Sequence, residues 1–194
     1  DLSIDVDEID LSNYKLDEHI DQGSFSNVYK IIDTNTNDIY AAKISLKTID
    51  DYTDLQMISF AREITILSKL KFPSIIKFIG YNKKNFKNQS KPTIITEFVK
   101  NQSLEEMIIF NDNNIWNETK KLITIYGIAS AMSYMHSLNF IHRDLKPENI
   151  FLDEFLYPKI GGFGLSKEIE IDKENVDENE NVGTPLYMAP EVIT

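Results

Sequence analysis

The sequence predicts an α+β fold in which a five-stranded antiparallel sheet with one helix precedes a mainly helical second half. Short β-type stretches separated by turns dominate the first hundred residues, and a single segment of helical periodicity interrupts them. Two further segments of helical spacing dominate the second half. A chain of 194 residues is long enough for one domain or two small lobes.

Composition excludes several classes of protein. The chain has 20 Lys and Arg against 31 Asp and Glu, a net charge of -11, which argues against nucleic acid or anionic membrane as a partner. Its apolar runs, such as residues 75–79, are too short to span a bilayer. The absence of cysteine removes disulfides and thiolate chemistry and favours a reducing, cytoplasmic location. The chain opens at Asp1 without a signal-peptide pattern, so we expect a piece of a longer intracellular protein.

The first-half elements follow from local patterns. Three strands are predicted as a meander, at residues 14–20, 27–33 and 39–46. A helix is predicted over residues 54–70, where apolar residues recur at helical spacing: Ile58, Ala61, Ile64, Leu67 and Leu70. Pro73 ends that pattern. Two more strands, at residues 75–81 and 93–99, flank a loop rich in Lys and Asn.

The second half contains predicted helices at residues 103–110 and 117–138. The longer helix has an apolar stripe: Leu122, Ile125, Ala129, Met132 and Met135. Residues 167–182 hold seven Asp and Glu but only two Lys, which is typical of a solvated, mobile loop. In the alternative interpretation, Glu178 or Glu180 pairs with Arg143 and imitates a phosphorylated loop.

The most specific motif is the string from His142 to Asn149, which reads His-Arg-Asp-Leu-Lys-Pro-Glu-Asn and directly follows the long helix. It resembles the catalytic loop of eukaryotic protein kinases, and the Lys two positions after the Asp resembles the serine/threonine branch. A carboxylate at Asp144 can orient a hydroxyl group and accept its proton. Lys146 can neutralise a transferred phosphoryl group, and the Asn149 amide oxygen can bind Mg²⁺.

The resemblance assigns roles to residues of the first half. Lys43 would bind the ATP phosphates and form an ion pair with Glu63, although a plain surface salt bridge is the alternative. Thr96 would be the gatekeeper, and the backbone from Glu97 to Val99 would face adenine. Further nucleotide contacts are implied at Gly23, Val28, Ala41 and Phe151.

The kinase pattern also implies a domain organisation. Residues 1–13 would be an N-terminal extension, residues 14–99 the N-lobe and hinge, and residues 100–194 a partial C-lobe. The segment from Gly183 to Glu191 matches the end of an activation segment, and Thr184 and Tyr187 within it are candidates for modification. In the family, further helices follow this segment and pack under the catalytic loop. Without them, we expect the stripe on the long helix to be partly exposed.

The glycine-rich loop departs from the family pattern. Gly-x-Gly-x-x-Gly is expected, but residues 21–26 read Asp-Gln-Gly-Ser-Phe-Ser, which keeps only the middle glycine. Gly23 still permits close approach of the backbone to phosphate, and the Ser26 hydroxyl can donate to a phosphate oxygen. Asp21 places a carboxylate near a nucleotide tail of like charge, which weakens binding unless the side chain points to solvent.

A second departure removes a metal ligand. Gly162 stands where the family's Asp-Phe-Gly motif has Asp, so the main carboxylate ligand of Mg²⁺ is missing and Asn149 is the remaining candidate. The loss of metal stabilisation predicts a rate lower by on the order of 10³-fold or more. By resemblance, Leu67, Phe78, His142 and Phe163 would still form the apolar spine of an active-like arrangement.

These features support three interpretations. We expect a pseudokinase that binds ATP with weak or absent Mg²⁺ binding and acts as a switch or scaffold in signalling. The first alternative is an active serine/threonine protein kinase that transfers the ATP γ-phosphate to a protein hydroxyl at reduced rate. The second alternative is a non-catalytic interaction fragment. The sequence identifies neither a protein substrate nor a regulatory partner.

Overall fold

The computed structural model of the protein describes residues 4–23, 25–101, 103–110, 115–169 and 182–193. The chain forms two units. The first consists of Asp1–Ser68 and Lys77–Phe98, and the second of Lys69–Ile76 and Val99–Thr194.

A five-stranded sheet forms the framework of the first unit. Its strands are β1 (Tyr14–Gln22), β2 (Ser26–Asp33), β3 (Ile39–Ser45), β4 (Phe78–Asn82) and β5 (Thr93–Glu97). They lie in the order β1-β2-β3-β5-β4, and each neighbouring pair is antiparallel. The predicted five-stranded antiparallel sheet is confirmed.

Side chains alternate between the two faces of a strand, so each face of the sheet packs against a different set of residues. The predicted helix is confirmed as α1 (Asp54–Lys69), which buries Phe60, Ala61, Ile64, Ile66 and Leu67. The ring of Phe60 contacts that of Tyr81, with centroids 6.3 Å apart. On the opposite face lies an apolar cluster of Ile31, Ala42, Ile44 and Ile95, and residues preceding β1, including Ile9 and Leu11, pack against it.

Helices dominate the second unit, as predicted. They are α2 (Leu104–Phe110), α3 (Glu118–Ser137) and the short α4 (Pro190–Ile193). The described part of this unit also contains four short strands: β6 (Phe140–Ile141), β7 (Ile150–Leu152), β8 (Pro158–Ile160) and β9 (Lys167–Glu168). Strand β6 pairs with β9 and β7 with β8, both antiparallel. A cluster of Leu104, Trp116, Ile150, Leu152 and Leu156 packs beside β7. None of the helices in the described part of the chain could span a lipid bilayer.

The apolar stripe predicted on α3 does not coincide with the buried face of the helix. Leu122 and Ile125 are 66% and 63% exposed, Ala129 is exposed and Met132 is half-buried, so only Met135 is fully buried. The buried face instead consists of Thr124, Gly127, Ala131 and Met135. Glycine occupies position 127 of this face where α3 approaches β8 closely: a Cβ on Gly127 would lie 2.5 Å from Cγ of Pro158. The expected partial exposure of the apolar stripe is observed at Leu122, Ile125 and Ala129.

We predict that Gly127→Ala destabilises the chain although alanine favours helix more than glycine does. The added methyl would lie 2.5 Å from Pro158 and 3.1 Å from Oγ of Ser74, so overpacking should cost about 1–3 kcal/mol, more than the gain of about 1 kcal/mol in helix propensity. Thermal unfolding measures the effect. Ser133→Ala, at an exposed position of the same helix, is the control and should be neutral or slightly stabilising. A higher melting temperature for Gly127→Ala than for the unaltered chain would contradict the prediction, because it would show that the space beside position 127 admits a methyl group.

Candidate functional site

Lys43 and Glu63 are in direct contact in the first unit. Lys43 lies on β3, and its Nζ is 2.7 Å from Oε1 of Glu63 on α1. The Lys43 side chain is 42% exposed and that of Glu63 is 12% exposed. An ammonium group carries three N–H donors, so Lys43 can bind an anionic oxygen while it keeps its bond to Glu63.

Several predicted nucleotide-binding residues share the sheet face of Lys43. Val28 pairs with Lys43 across β2 and β3, and Ala41 pairs with Thr96 across β3 and β5. Because directly paired side chains point to the same face, Val28, Ala41 and Thr96 all lie on that face. The other predicted nucleotide contacts are spread over both units: Gly23 and Glu97 belong to the first, and Val99 and Phe151 to the second.

The end of β5 is tied to the start of β4. The Glu97 backbone N–H donates to the Lys77 carbonyl at 2.9 Å, and the Glu97 carboxylate accepts from the Lys77 N–H at 2.7 Å. The Thr96 hydroxyl donates to the Glu97 carbonyl at 3.3 Å. These bonds fix the backbone that the family resemblance assigns to adenine.

Gly23 lies in the turn between β1 and β2. Its N–H donates to the Ser26 carbonyl at 2.8 Å, which closes the turn. A Cβ at Gly23 would lie 3.5 Å from that carbonyl oxygen, an ordinary contact. The exposed Asp21 accepts a hydrogen bond from the Gln22 N–H at 2.7 Å. The carboxylate is therefore solvated, the condition under which its repulsion of a nucleotide is weakest.

The second unit gathers polar side chains around Asp144. Its Oδ1 accepts from the Thr184 hydroxyl at 2.7 Å, and its Oδ2 accepts from Nδ2 of Asn149 at 2.9 Å. Nζ of Lys146 lies 3.7 Å from the same Oδ2 and donates to the Thr184 hydroxyl at 3.0 Å. The structure thus brings together three residues assigned by resemblance, Asp144, Lys146 and Asn149.

Thr184 is the site residue that sequence reasoning missed. The sequence indicates it only as a candidate for modification, whereas in the structure its hydroxyl bridges Lys146 and Asp144. The bond to Asp144 spans 40 positions of the chain, so no local periodicity could indicate it. The available signal was its place in the Gly183-Thr184-Pro185 motif.

The imidazole of His142 links the loop of residues 142–149 to the segment that carries Gly162. Its Nε2 lies 2.8 Å from the Gly161 carbonyl, and its Nδ1 accepts from the Asp144 N–H at 3.3 Å. Since a carbonyl can only accept, Nε2 carries the proton and Nδ1 is the acceptor of a neutral ring. Burial lowers the pKa of His142, against smaller opposing effects of the bond to Gly161 and the charge of Asp144.

Packing around Phe163 supports the same segment. Phe163 is buried, and its ring centroid lies 5.0 Å from that of His142. The other two residues of the predicted spine, Leu67 and Phe78, belong to the first unit. Arg143 donates from Nε to the Leu165 carbonyl at 2.7 Å. Its proposed partners Glu178 and Glu180 lie outside the described residues.

Gly162 adopts a left-handed backbone conformation, with φ of 77°. A Cβ at this position would overlap the Asn149 carboxamide, with Oδ1 at 2.5 Å and Nδ2 at 2.7 Å. The Asn149 side chain therefore fills the space that a side chain at position 162 needs. It is held there because Nδ2 also donates to the Asp144 carbonyl at 2.7 Å.

These residues do not fit Mg²⁺. In phosphate-transfer sites Mg²⁺ is bound through one or two carboxylates, and water and phosphate oxygens are its other ligands. Here Gly162 provides none, and both Asp144 oxygens already accept hydrogen bonds. Within the described part of the chain, no group of three or more His, Cys, Asp or Glu side chains is arranged to hold a metal ion.

Comparison with known proteins gives a consistent match. Residues 14–194 match the family described as "Protein kinase domain". The chain is 36% identical to "Serine/threonine-protein kinase polo" of Drosophila melanogaster, over 93% of this chain and 30% of that protein. It is 30% identical to "Cysteine-rich receptor-like protein kinase 44" of Arabidopsis thaliana, over 98% of this chain and 50% of that protein. It is 32% identical to "Ephrin type-B receptor 1" of Gallus gallus, over 96% of this chain and 19% of that protein. The chain thus spans half or less of the length of these relatives.

We predict that His142 makes the stability of the chain depend on pH. An unfolded histidine takes up a proton near pH 6.5, whereas the folded ring, whose pKa is lowered, does so only at lower pH. The free energy of unfolding should therefore fall as pH drops below about 6.5, by up to about 1.4 kcal/mol per pH unit for this group. Denaturant unfolding between about pH 7.5 and 5.5 measures this slope.

The variant His142→Phe keeps an aromatic ring against Phe163 but cannot titrate. We expect it to be less stable at pH 7.5, because two hydrogen bonds are lost, and to have a shallower slope than the unaltered chain. Ile150→Val, at another buried position of the unit, is the control and should lower stability equally at every pH. An unchanged slope in His142→Phe would show that other groups cause the pH dependence.

Proposed function

The chain belongs to the protein kinase family, and on that basis we propose that it is a nucleotide-binding kinase domain with weak or absent phosphoryl transfer. One observation carries the proposal. Where the family has a metal-binding carboxylate, this chain has Gly162, and the Asn149 carboxamide occupies the space beside it. In our proposal the domain acts as a nucleotide-dependent switch or scaffold in signalling, in the cytoplasmic compartment that the cysteine-free sequence favours.

Lys43 supports the nucleotide-binding part of the proposal. Its contact with Glu63 holds the ammonium in a defined position, which lowers the entropy lost when a phosphate binds. Val28, Ala41 and Thr96 add an apolar and small-residue surface on the same sheet face, which suits a flat base. The proposal assigns the ATP phosphates to Lys43 and the base to these three residues, with Glu97, Val99 and Phe151 as further contacts and Gly23 at the phosphate tail.

The contacts of Asp144 support slow phosphoryl transfer as a second candidate activity. Its carboxylate already accepts a hydroxyl hydrogen bond from Thr184 at 2.7 Å, so it is positioned to receive the proton of a serine or threonine hydroxyl. Lys146 lies close enough to offset negative charge at the same place. These groups favour the second candidate function, a slow serine/threonine protein kinase acting on a protein hydroxyl.

Metal chemistry decides between the two candidates. Members of the family use ATP with Mg²⁺, which neutralises charge that develops on the phosphates. Removing this effect costs on the order of 10³-fold in rate, or about 4 kcal/mol, and Asp144 and Lys146 act in addition to the metal rather than in its place. The proposal therefore favours nucleotide binding over efficient catalysis.

We predict that ATP raises the melting temperature of the unaltered chain equally with Mg²⁺ and with EDTA. In Gly162→Asp the shift should become Mg²⁺-dependent, and transfer of the γ-phosphate to a generic protein substrate should rise by on the order of 10³-fold. Aspartate tolerates the left-handed backbone better than most residues, but the Asn149 side chain must rotate away to admit its Cβ. Differential scanning fluorimetry and radiolabel transfer measure the two effects.

Two variants serve as controls. Gly162→Ala adds the Cβ without a carboxylate, so it should lose stability but gain no Mg²⁺ dependence. Lys43→Met should abolish the ATP shift in either background, because it removes the proposed phosphate ligand. A Mg²⁺-dependent ATP shift and rapid transfer by the unaltered chain would overturn the pseudokinase proposal. No ATP shift in any variant would overturn nucleotide binding itself.

A further inference from the structure

Residues 4–13, here called the N-terminal strap, dock on the first unit although they precede the family match, which begins at residue 14. The Ile9 N–H donates to the Tyr81 carbonyl at 2.9 Å, and Nδ2 of Asn82 donates to the Ile9 carbonyl at 2.9 Å. Glu8 forms a parallel bridge with Tyr81. The strap thus adds to the open edge of β4, which is the last strand of the sheet.

The strap also covers the sheet face opposite α1. Gly80 pairs with Ile95, and the Ile9 side chain lies over Gly80 so closely that a Cβ there would overlap it. Ile9 and Leu11 pack on the cluster of Ile31, Ala42, Ile44 and Ile95. At the far end, the Asn13 carbonyl accepts from the Thr34 N–H at 2.9 Å. The strap therefore crosses from the β4 edge towards the β1 end of the sheet.

Its sequence alternates in a manner suited to this position. Ile4, Val6, Ile9 and Leu11 are half-buried, whereas Asp5, Asp7, Glu8 and Asp10 are exposed. The strap thus has four acidic residues and no basic ones, and residues 83–91, the Lys-rich loop, have four lysines and no acidic residue. The two segments meet: Nζ of Lys83 is 3.5 Å from Oε1 of Glu8, and the Lys83 N–H donates to Oε2 of Glu8 at 3.1 Å. Phe86 of the loop packs on the same apolar cluster as Ile9.

We propose that the sheet face opposite α1, together with the β4 edge and the Lys-rich loop, is a docking surface for an extended segment of alternating acidic and aliphatic residues. Residues 4–13 of the chain occupy this surface in cis. Three features define its specificity: edge-strand hydrogen bonds, a slot for an aliphatic side chain over Gly80, and positive charge beside it. The surface does not depend on nucleotide binding or on phosphoryl transfer, so its test is independent of the proposed function.

The first test releases the strap in the full chain with Ile9→Asp, which places a carboxylate against the apolar cluster. We expect the amides of residues 4–13 to exchange with deuterium at least about tenfold faster than in the unaltered chain, which corresponds to the net loss of about one hydrogen bond. Asp17→Lys is the matched control, since it breaks a surface ion pair of the same unit, 3.2 Å from Lys30, away from the strap. Unchanged exchange of the strap in Ile9→Asp would overturn the proposal.

The second test adds the occupant in trans. A labelled peptide of residues 4–13 should bind the Ile9→Asp chain, as measured by fluorescence anisotropy. It should bind the unaltered chain at least about tenfold more weakly, because the strap of that chain competes for the same surface. Its affinity should fall as the salt concentration is raised. The same peptide carrying Ile9→Asp should not bind. Failure of the unaltered peptide to bind the released chain would overturn the proposal, as would equal binding to both chains.

A charge exchange keeps the proposal testable if Ile9→Asp does not fold. Glu8→Lys changes only an exposed side chain and should speed deuterium exchange of the strap amides several-fold. Glu8→Lys combined with Lys83→Glu should restore the exchange rate of the unaltered chain. Equal exchange in the single and double variants would show that the Lys-rich loop does not recognise the strap, and this part of the proposal would be wrong.

Discussion

The buried imidazole of His142 is the constraint on which the polar cluster of the second unit depends. One ring nitrogen binds the Gly161 carbonyl and the other accepts from the Asp144 N–H, so a single neutral side chain fixes two backbone segments relative to each other. Because Asp144 is held by its backbone, its carboxylate can receive donors from Thr184 and Asn149 without moving. Burial keeps this ring neutral, and a neutral ring is the only form that can both donate and accept.

The same constraint explains how the backbone at Gly162 is held. Gly161 is anchored by His142 on one side, and Phe163 packs against the His142 ring on the other, so the backbone at Gly162 stays in place without a side chain of its own. Asn149 then packs over it and donates to Asp144. The result is a hydrogen-bond network in which Asp144, Lys146 and Nδ2 of Asn149 each have a protein partner. Such a network stabilises the fold but leaves few oxygen atoms for a cation.

Local patterns predicted most of the fold, and long-range contacts account for what they missed. Strand alternation and the spacing of apolar residues in α1 depend on neighbours along the chain, so the sheet and that helix could be predicted. The buried face of α3 could not, because it depends on the fit of Gly127 against Pro158 rather than on hydrophobicity. Asp144, Lys146 and Asn149 were found through one contiguous motif. Thr184 and the contact of Asn149 with Gly162 join distant segments, and strand pairing of residues 8–9 with β4 is visible only in three dimensions.

The backbone conformation at Gly162 decides which side chains this position can accept. Aspartate is among the residues that best tolerate a φ of 77°. An aspartate at position 162 would require a change of rotamer at Asn149 but no change of backbone path. The position is therefore closed by one neighbouring side chain and not by the course of the backbone.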